Sequence, residues 1–282
     1  MTTFQGRVAV VTGAGSGIGR ALALGLARRG ALIAASDIDR DGLAETSARV
    51  AALGADIHSA TVDMAHREAV IDYAEEVIAH FGAVHQIYNN AGIAGRSATV
   101  LDSDWANYDK VIAVNLFGVI HGTKAFLPHL IASGDGHVVN ISSLNGYLAQ
   151  PSLSAYCASK FGVRGFTEAL RAEMLAARHP VRVTAVHPGG VKTDIASNGV
   201  AEALADGAEV TAAQRKRAAI YNDKLLRMPA DEAAAIVLDG VAAGSPRIRV
   251  GRDAAFLDRV VRLFPRLYPK VVAEFERRVL GA

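Results

Sequence analysis

The 282-residue chain is predicted to be an α/β protein: a doubly wound parallel sheet in three layers, extended at its C-terminus by helices. Three observations predict this. Short apolar runs alternate with longer stretches of helical periodicity, the rhythm of strands joined by crossover helices. The runs are continuous rather than alternating, as strands covered on both faces require. A glycine-rich turn joins the first run to the first helical stretch, where such sheets bind their ligands.

Each element follows in order. Val8–Thr12 is a compact β-branched run, and Gly17–Gly30 carries Ile18, Leu22 and Leu26 at helical spacing. Leu32–Ser36 is the second strand and Leu43–Leu53 the second helix. Ile57–Val62, Val70–Phe81 and Ile87–Asn89 continue as strand, helix and strand. Trp105–Ile131 reads as one long helix. Val138–Ser142 is extended, Tyr156–Ala177 helical and Val181–His187 extended. After Pro188 the rhythm weakens. Residues 189–229 show no clear strand and are expected to form a loop with short helices, a lid over a ligand site. Asp231–Ala243 and Ile248–Val250 close a single domain over residues 1–250. In residues 251–282, Leu257, Val260, Val261 and Phe264 form one helical stripe; Pro265 and Pro269 interrupt it, and Val272, Phe275 and Val279 form another.

Composition excludes several classes. At 51% hydrophobic and 21% charged residues the chain is no disordered segment. A lone cysteine, Cys157, leaves no intramolecular disulfide and no cysteine-rich zinc site. His85, His121 and His129 show no ligand pairing, so no metal is expected. The net charge of +2 points to no nucleic-acid partner. That average is uneven: residues 246–282 hold nine Lys/Arg against four acids, and the rest of the chain 21 against 24. The N-terminus shows no basic segment followed by an apolar one, and no uncharged apolar run reaches about 18 residues. A cytoplasmic location is expected.

Thr12-Gly-Ala-Gly-Ser-Gly-Ile-Gly19 sits in the strand–turn–helix context that phosphate binding demands. Glycines let the backbone turn sharply against a pyrophosphate, and the helix N-terminus offers it unpaired N–H groups. Asp37, ending the second strand, suits the adenosine ribose hydroxyls and repels a 2′-phosphate. Ile38 follows it, and Ser16 stands in the turn where a basic residue would favour NADP, so NAD is preferred. Asp39 is the competing acid, and Arg40 is close enough to temper the preference.

The spacing of Thr12–Gly19 resembles that of the short-chain dehydrogenase/reductase family, with its Rossmann-type fold. The resemblance covers about residues 6–250 through Asn89-Asn-Ala-Gly92, Asn115, Asn140-Ile-Ser-Ser143, Tyr156-Cys-Ala-Ser-Lys160 and His187-Pro-Gly-Gly-Val-Lys-Thr193, in family order. It implies a catalytic set of Asn115, Ser143, Tyr156 and Lys160. A tyrosine of ordinary pKa about 10 needs a nearby cation to act as a base. Lys160 lies four residues beyond Tyr156 on one helix face. Ser143 is preferred to Ser142 because it stands 13 residues before the tyrosine. Asn115 is expected to position a water that extends the proton relay. The implied cofactor residues are Gly13, Ser16, Gly17, Ile18, Gly19, Asp37, Asp63, Met64, Asn90, Ala91, Gly92, Tyr156, Lys160, Pro188, Gly189, Val191 and Thr193. Asp63 is expected at the adenine amino group, and Val191 at the nicotinamide carboxamide through its backbone.

The substrate pocket is expected among residues 94–102, 144–154 and 194–226. Its walls would be Leu144, Tyr147, Leu148, Leu153, Ile195 and Val200, with Ser143 at the reacting oxygen. Such walls imply a small apolar alcohol or ketone. The resemblance also implies a homo-oligomer, a dimer or homotetramer, through helices 105–131 and 156–177. The tail has two readings, a helical pair packed on its own body or a partner subunit, and a peripheral anchor on an anionic membrane. The main expectation is an NAD-dependent dehydrogenase acting on CH–OH groups, interconverting a lipophilic secondary alcohol and its ketone, or an aldehyde and primary alcohol, by hydride transfer with Tyr156 as base. The alternatives are an NADP-dependent carbonyl reductase at a membrane surface and a non-catalytic dinucleotide sensor.

Overall fold

The computed structural model describes residues 4–193, 195, 204, 210–220 and 225–280. Its strands are β1 (Val8–Thr12), β2 (Leu32–Asp37), β3 (Ile57–Thr61), β4 (Gln86–Asn89), β5 (Gly136–Ile141), β6 (Val181–Pro188) and β7 (Arg247–Val250). All pair in parallel, in the order β3-β2-β1-β4-β5-β6-β7. The chain builds outward from β1 to one side, then returns to lay β4 on the other. That reversal opens a crevice at the C-terminal ends of β1 and β4, where open α/β sheets take ligands.

The helices are α1 (Gly17–Ala27), α2 (Arg40–Ala51), α3 (Arg67–Phe81), α4 (Trp105–Ile112), α5 (Gly118–Ala132), α6 (Ser154–Ala176), α7 (Ala212–Ile220), α8 (Ala230–Ala242), α9 (Arg252–Leu263) and α10 (Tyr268–Leu280). Successive strand residues point to opposite faces. Ala9 and Val11 therefore pack with Leu22 and Leu26 of α1 and Val237 and Leu238 of α8. Val8 and Val10 pack with Tyr73 of α3, Phe126 of α5 and Leu170 of α6. The expected three layers follow. Leu43 and Val50 fasten α2, whose N-terminus is capped by the Asp39 carboxylate, which accepts the N–H groups of Asp41 and Gly42.

Two expectations need correction. The third strand is no fully covered run. It forms one edge of the sheet, and along Ile57–Thr61 its residues are only half-buried or exposed. The helix expected over Trp105–Ile131 is interrupted by a π turn at Ala113–Phe117. The whole span Trp105–Ala132 is long and apolar enough to cross a membrane by length and composition. Here Val111, Val119, Phe126 and Leu130 are buried, as in a core helix.

Residues beyond β7 fold back onto the domain. Asp258 of α9 is buried with Arg249 of β7 at 3.2 Å and Arg262 at 2.8 Å. Tyr147 donates its O–H to the Ala254 carbonyl at 2.6 Å. Helix α10 lies against α7, joined by a buried bidentate pair in which Arg217 donates to Glu276 at 2.7 and 2.8 Å. The expected lid at 189–229 contains α7 and a bridge between Val191 and Met228.

Candidate active site

The chain leaves β1 through Gly13 (φ +65°) and enters α1 through Gly17 (φ +49°), in the left-handed region that glycine tolerates. Gly19 is pressed against the same turn, where a Cβ would stand 1.9 Å from the Gly13 carbonyl oxygen. Thr12 Oγ1 accepts the N–H groups of Asn90 at 3.0 Å and Ala91 at 3.1 Å. The Asn90 amide donates back to the carbonyls of Thr12 and Gly13 at 3.0 and 3.1 Å, so it braces the turn. Arg20 and Thr46, which sequence reasoning missed, brace it from behind. Arg20 donates to the carbonyls of Gly15 and Gly42, and Thr46 to that of Ala14. No sequence signal marks them, since side chains serving backbone carbonyls have no fixed spacing.

This turn opens into a cavity of about 1210 Å³. Ser16, Gly17 and Ile18 line it at the start of α1, and the Ser16 side chain makes no capping bond. A helix N-terminus so placed favours an anion. Asp37 lies on the rim. Its carboxylate accepts the N–H of Gly15 at 2.7 Å and that of Asp39 at 2.9 Å. Asp39 is committed to capping α2, which leaves Asp37 as the acid built into the turn. Asp63, Met64, Asn90, Ala91, Gly92, Pro188, Gly189, Val191 and Thr193 line the same cavity. Gly19 does not, because it is packed behind Gly13. The Val191 backbone is the one expected at a carboxamide; its N–H goes to the Gly189 carbonyl at 2.9 Å. The residues fit a dinucleotide, with a glycine cradle, an anion-favouring helix start and a rim carboxylate in line.

The catalytic candidates meet at the inner end. Ser143 closes β5 and Tyr156 and Lys160 rise from α6, all three lining the cavity. Lys160 is buried, donates to the Ile141 carbonyl at 3.0 Å, and holds its Nζ 5.8 Å from the Tyr156 ring centre. Gly92 leaves room for it, since a Cβ there would come within 3.3 Å of Nζ. Burial pushes the Lys160 ammonium down to about 8. Burial also pushes the Tyr156 phenol up, against the opposing effect of its hydrogen bond with Ser143. That reverses the expected direction. Desolvation of the phenolate outweighs any help from Lys160 in this arrangement.

The neighbours sort themselves. The Ser142 hydroxyl is spent on the Lys160 carbonyl at 2.9 Å, leaving Ser143 as the serine at Tyr156. The Asn115 side chain is buried in the π turn and does not line the cavity. It accepts the Ile93 N–H at 2.8 Å and donates to the Ile93 carbonyl at 2.9 Å and to Ser159 at 3.1 Å. It therefore fastens the loop after β4 to α6, and both of its amide N–H groups are spent on these bonds. Buried His187 meets the Ser143 carbonyl at 2.9 Å through Nδ1 and is pushed down to about 4, so at neutral pH it is an uncharged support. The Cys157 thiol is buried and pushed up. Among the described residues no cluster of three or more His, Cys, Asp or Glu is placed to hold a metal.

Leu144, Leu148, Leu153 and Ile195 line the cavity as expected. Tyr147 instead packs at a tilt against His187 with ring centres 5.2 Å apart, and Val200 lies outside the described residues. The unexpected wall is the C-terminal extension. Leu257 of α9 and Val271, Val272 and Phe275 of α10 line the cavity, and Asp253 accepts the Gly190 N–H at 2.8 Å. The only sequence signal for this was the helical spacing of apolar residues in the tail.

The family described as short chain dehydrogenase matches residues 7–205. A Mycobacterium tuberculosis protein named SadH, assigned as an oxidoreductase, is 52% identical over 273 residues, covering 97% of this chain and 96% of its own. Estradiol 17-beta-dehydrogenase 11 of Macaca fascicularis is 37% identical over 194 residues, covering 68% of this chain and 64% of its own. A short chain dehydrogenase/reductase of Burkholderia phymatum, solved in complex with NAD, superposes with a TM-score of 0.85 at 31% identity, covering 93% of this chain and 96% of its own.

Proposed function

The chain belongs to the short-chain dehydrogenase family of oxidoreductases, and on that footing we propose that it interconverts a lipophilic secondary alcohol and its ketone using NAD. The observation that carries this reading is the convergence of Ser143, Tyr156 and Lys160 at the end of an apolar-walled cavity whose other end is the glycine turn. A dinucleotide held along that wall supplies the hydride acceptor or donor. The Ser143 hydroxyl holds the substrate oxygen, and Tyr156 exchanges a proton with it. Lys160, as an ammonium, favours the phenolate when Tyr156 gives up its proton. Asn115 and His187 act at one remove, fixing the loop and the strand end from which these groups project. Asp37 on the rim supports NAD, since a 2′-phosphate there would meet a carboxylate.

The walls support the substrate class. Most of the cavity's lining surface is apolar, with Leu144, Leu148, Leu153 and Phe275 contributing to it, which favours a lipophilic ligand. Exposed Phe117, in the π turn, and Phe161, on α6, support assembly as a homo-oligomer through these helices.

Tyr156→Phe is the test. It should lower turnover of a secondary alcohol by about a hundredfold or more, the usual contribution of acid–base transfer, while NAD affinity stays near wild type. Full turnover in the variant would remove the mechanism. NAD binding without turnover in the wild type, across a broad alcohol and ketone screen, would leave a dinucleotide sensor.

A further inference from the structure

The pair α9–α10 walls the cavity with one side and leaves the other uncovered. Leu263, Phe264 and Leu267 are exposed around its turn, Phe256 is exposed on α9, and Val271 is 59% exposed although it also lines the cavity. Leu267, Val271 and Phe275 follow at four-residue intervals, and the Val271 N–H bonds to the Leu267 carbonyl at 3.2 Å, so they stand in one row. The row runs from the exposed turn to the cavity mouth. Arg252, Arg259, Arg266 and Lys270 are exposed on the same segment. Arg277 and Arg278 share a single acid, Glu274. An exposed apolar patch flanked mainly by basic residues is a mark of an interaction surface.

We propose that this helix pair docks the protein onto an anionic lipid bilayer, with Phe264 and Leu267 entering the interface and Arg266 and Lys270 facing the headgroups. Charge selects this occupant: over the helix pair, residues 252–280, seven basic residues stand against four acidic ones, which complements an anionic surface and repels a second copy of the same face. Amphipathic helices of this composition lie in the interface plane with the apolar side sunk into it. Docked this way, the mouth at Val271 and Phe275 adjoins the lipid, and a lipophilic alcohol or ketone reaches Ser143 without crossing water. This delivery rests on the substrate class proposed above; the docking itself does not.

The full chain is sedimented, without substrate, with vesicles of phosphatidylcholine alone and with vesicles of phosphatidylcholine plus phosphatidylglycerol. Binding is expected to the second kind only and to weaken with salt. Arg266→Gln with Lys270→Gln should weaken it about twenty-five-fold, about fivefold for each charge lost near the surface. Phe264→Ser with Leu267→Ser should also weaken it. All four positions are exposed, so unchanged melting temperatures show that the variants remain folded. Wild-type protein left in the supernatant, equal capture by both lipids, or undiminished binding by the glutamine variant would overturn the proposal. So would vesicle-independent self-association abolished by Phe264→Ser, which assigns the face to a second copy. No substrate takes part, so failure here leaves the alcohol–ketone reading intact, and failure of Tyr156→Phe leaves the docking intact.

Discussion

At the scale of single residues, burial sets the protonation states on which the chemistry depends. Lys160 is pushed down to about 8 because its ammonium is desolvated and rests on a neutral carbonyl, that of Ile141. Tyr156 is pushed up for the same reason. Ketone reduction needs the neutral phenol as donor and a cation beside the phenolate it leaves. Both are present below pH 8. As pH rises through about 8, Lys160 loses its charge while Tyr156 keeps its proton. The kcat/KM for reduction should therefore hold below that pH and fall above it, measured under saturating cofactor. A profile flat well past pH 8 would deny Lys160 an electrostatic part. Tyr156 and Lys160 were legible in the sequence because one helix carries both, four residues apart. The direction of the Tyr156 shift was not, because desolvation depends on what the fold stacks above the ring.

At the scale of elements, strands and helices were legible wherever apolar periodicity met a turn signal, as from Val8 to Ile33. The π turn at Ala113–Phe117 was not, and the bonds that hold its Asn115 go to Ile93 and Ser159, both distant in sequence. The pairing of α7 with α10 was equally hidden. Arg217 and Glu276 are 59 residues apart, and their bidentate bridge exists only once both helices reach the cavity edge. Burial pushes the Glu276 carboxyl up even with Arg217 beside it, so desolvation offsets much of the attraction. Breaking the bridge and replacing it should then differ. Glu276→Gln takes the counter-charge from a buried guanidinium, which keeps its bond to the Pro151 carbonyl, and should loosen the two helices by about 3 kcal/mol, seen as faster amide exchange confined to α7 and α10. Arg217→Met with Glu276→Leu should recover most of that protection. Equal loosening in the single and double variants would show that the charges, and not the packing, hold the helices together.

At the scale of the whole molecule, the protein divides into a sheet domain that holds its own core and an extension that completes its cavity. Neither principal core cluster contains a residue beyond Val250. The cavity, in contrast, takes Asp253, Leu257, Val271, Val272 and Phe275 from the extension. Removing residues 252–282 should therefore leave a folded dinucleotide-binding domain with one wall of its pocket missing. The loss should fall unevenly on substrates. A short secondary alcohol bound near Ser143 touches little of the extension, and its KM should change little. A long-chain alcohol loses burial along its tail at about 0.8 kcal/mol per methylene, so its KM should rise by about tenfold or more. Part of any change in NAD affinity belongs to Asp253, which accepts the Gly190 N–H beside the Pro188–Gly189 segment. Asp253→Asn in the full chain keeps an acceptor there and should preserve that affinity. The ratio of long-chain to short-chain KM in the truncated and full proteins decides the matter. A ratio unchanged by truncation would mean that the extension covers the cavity without touching what binds in it.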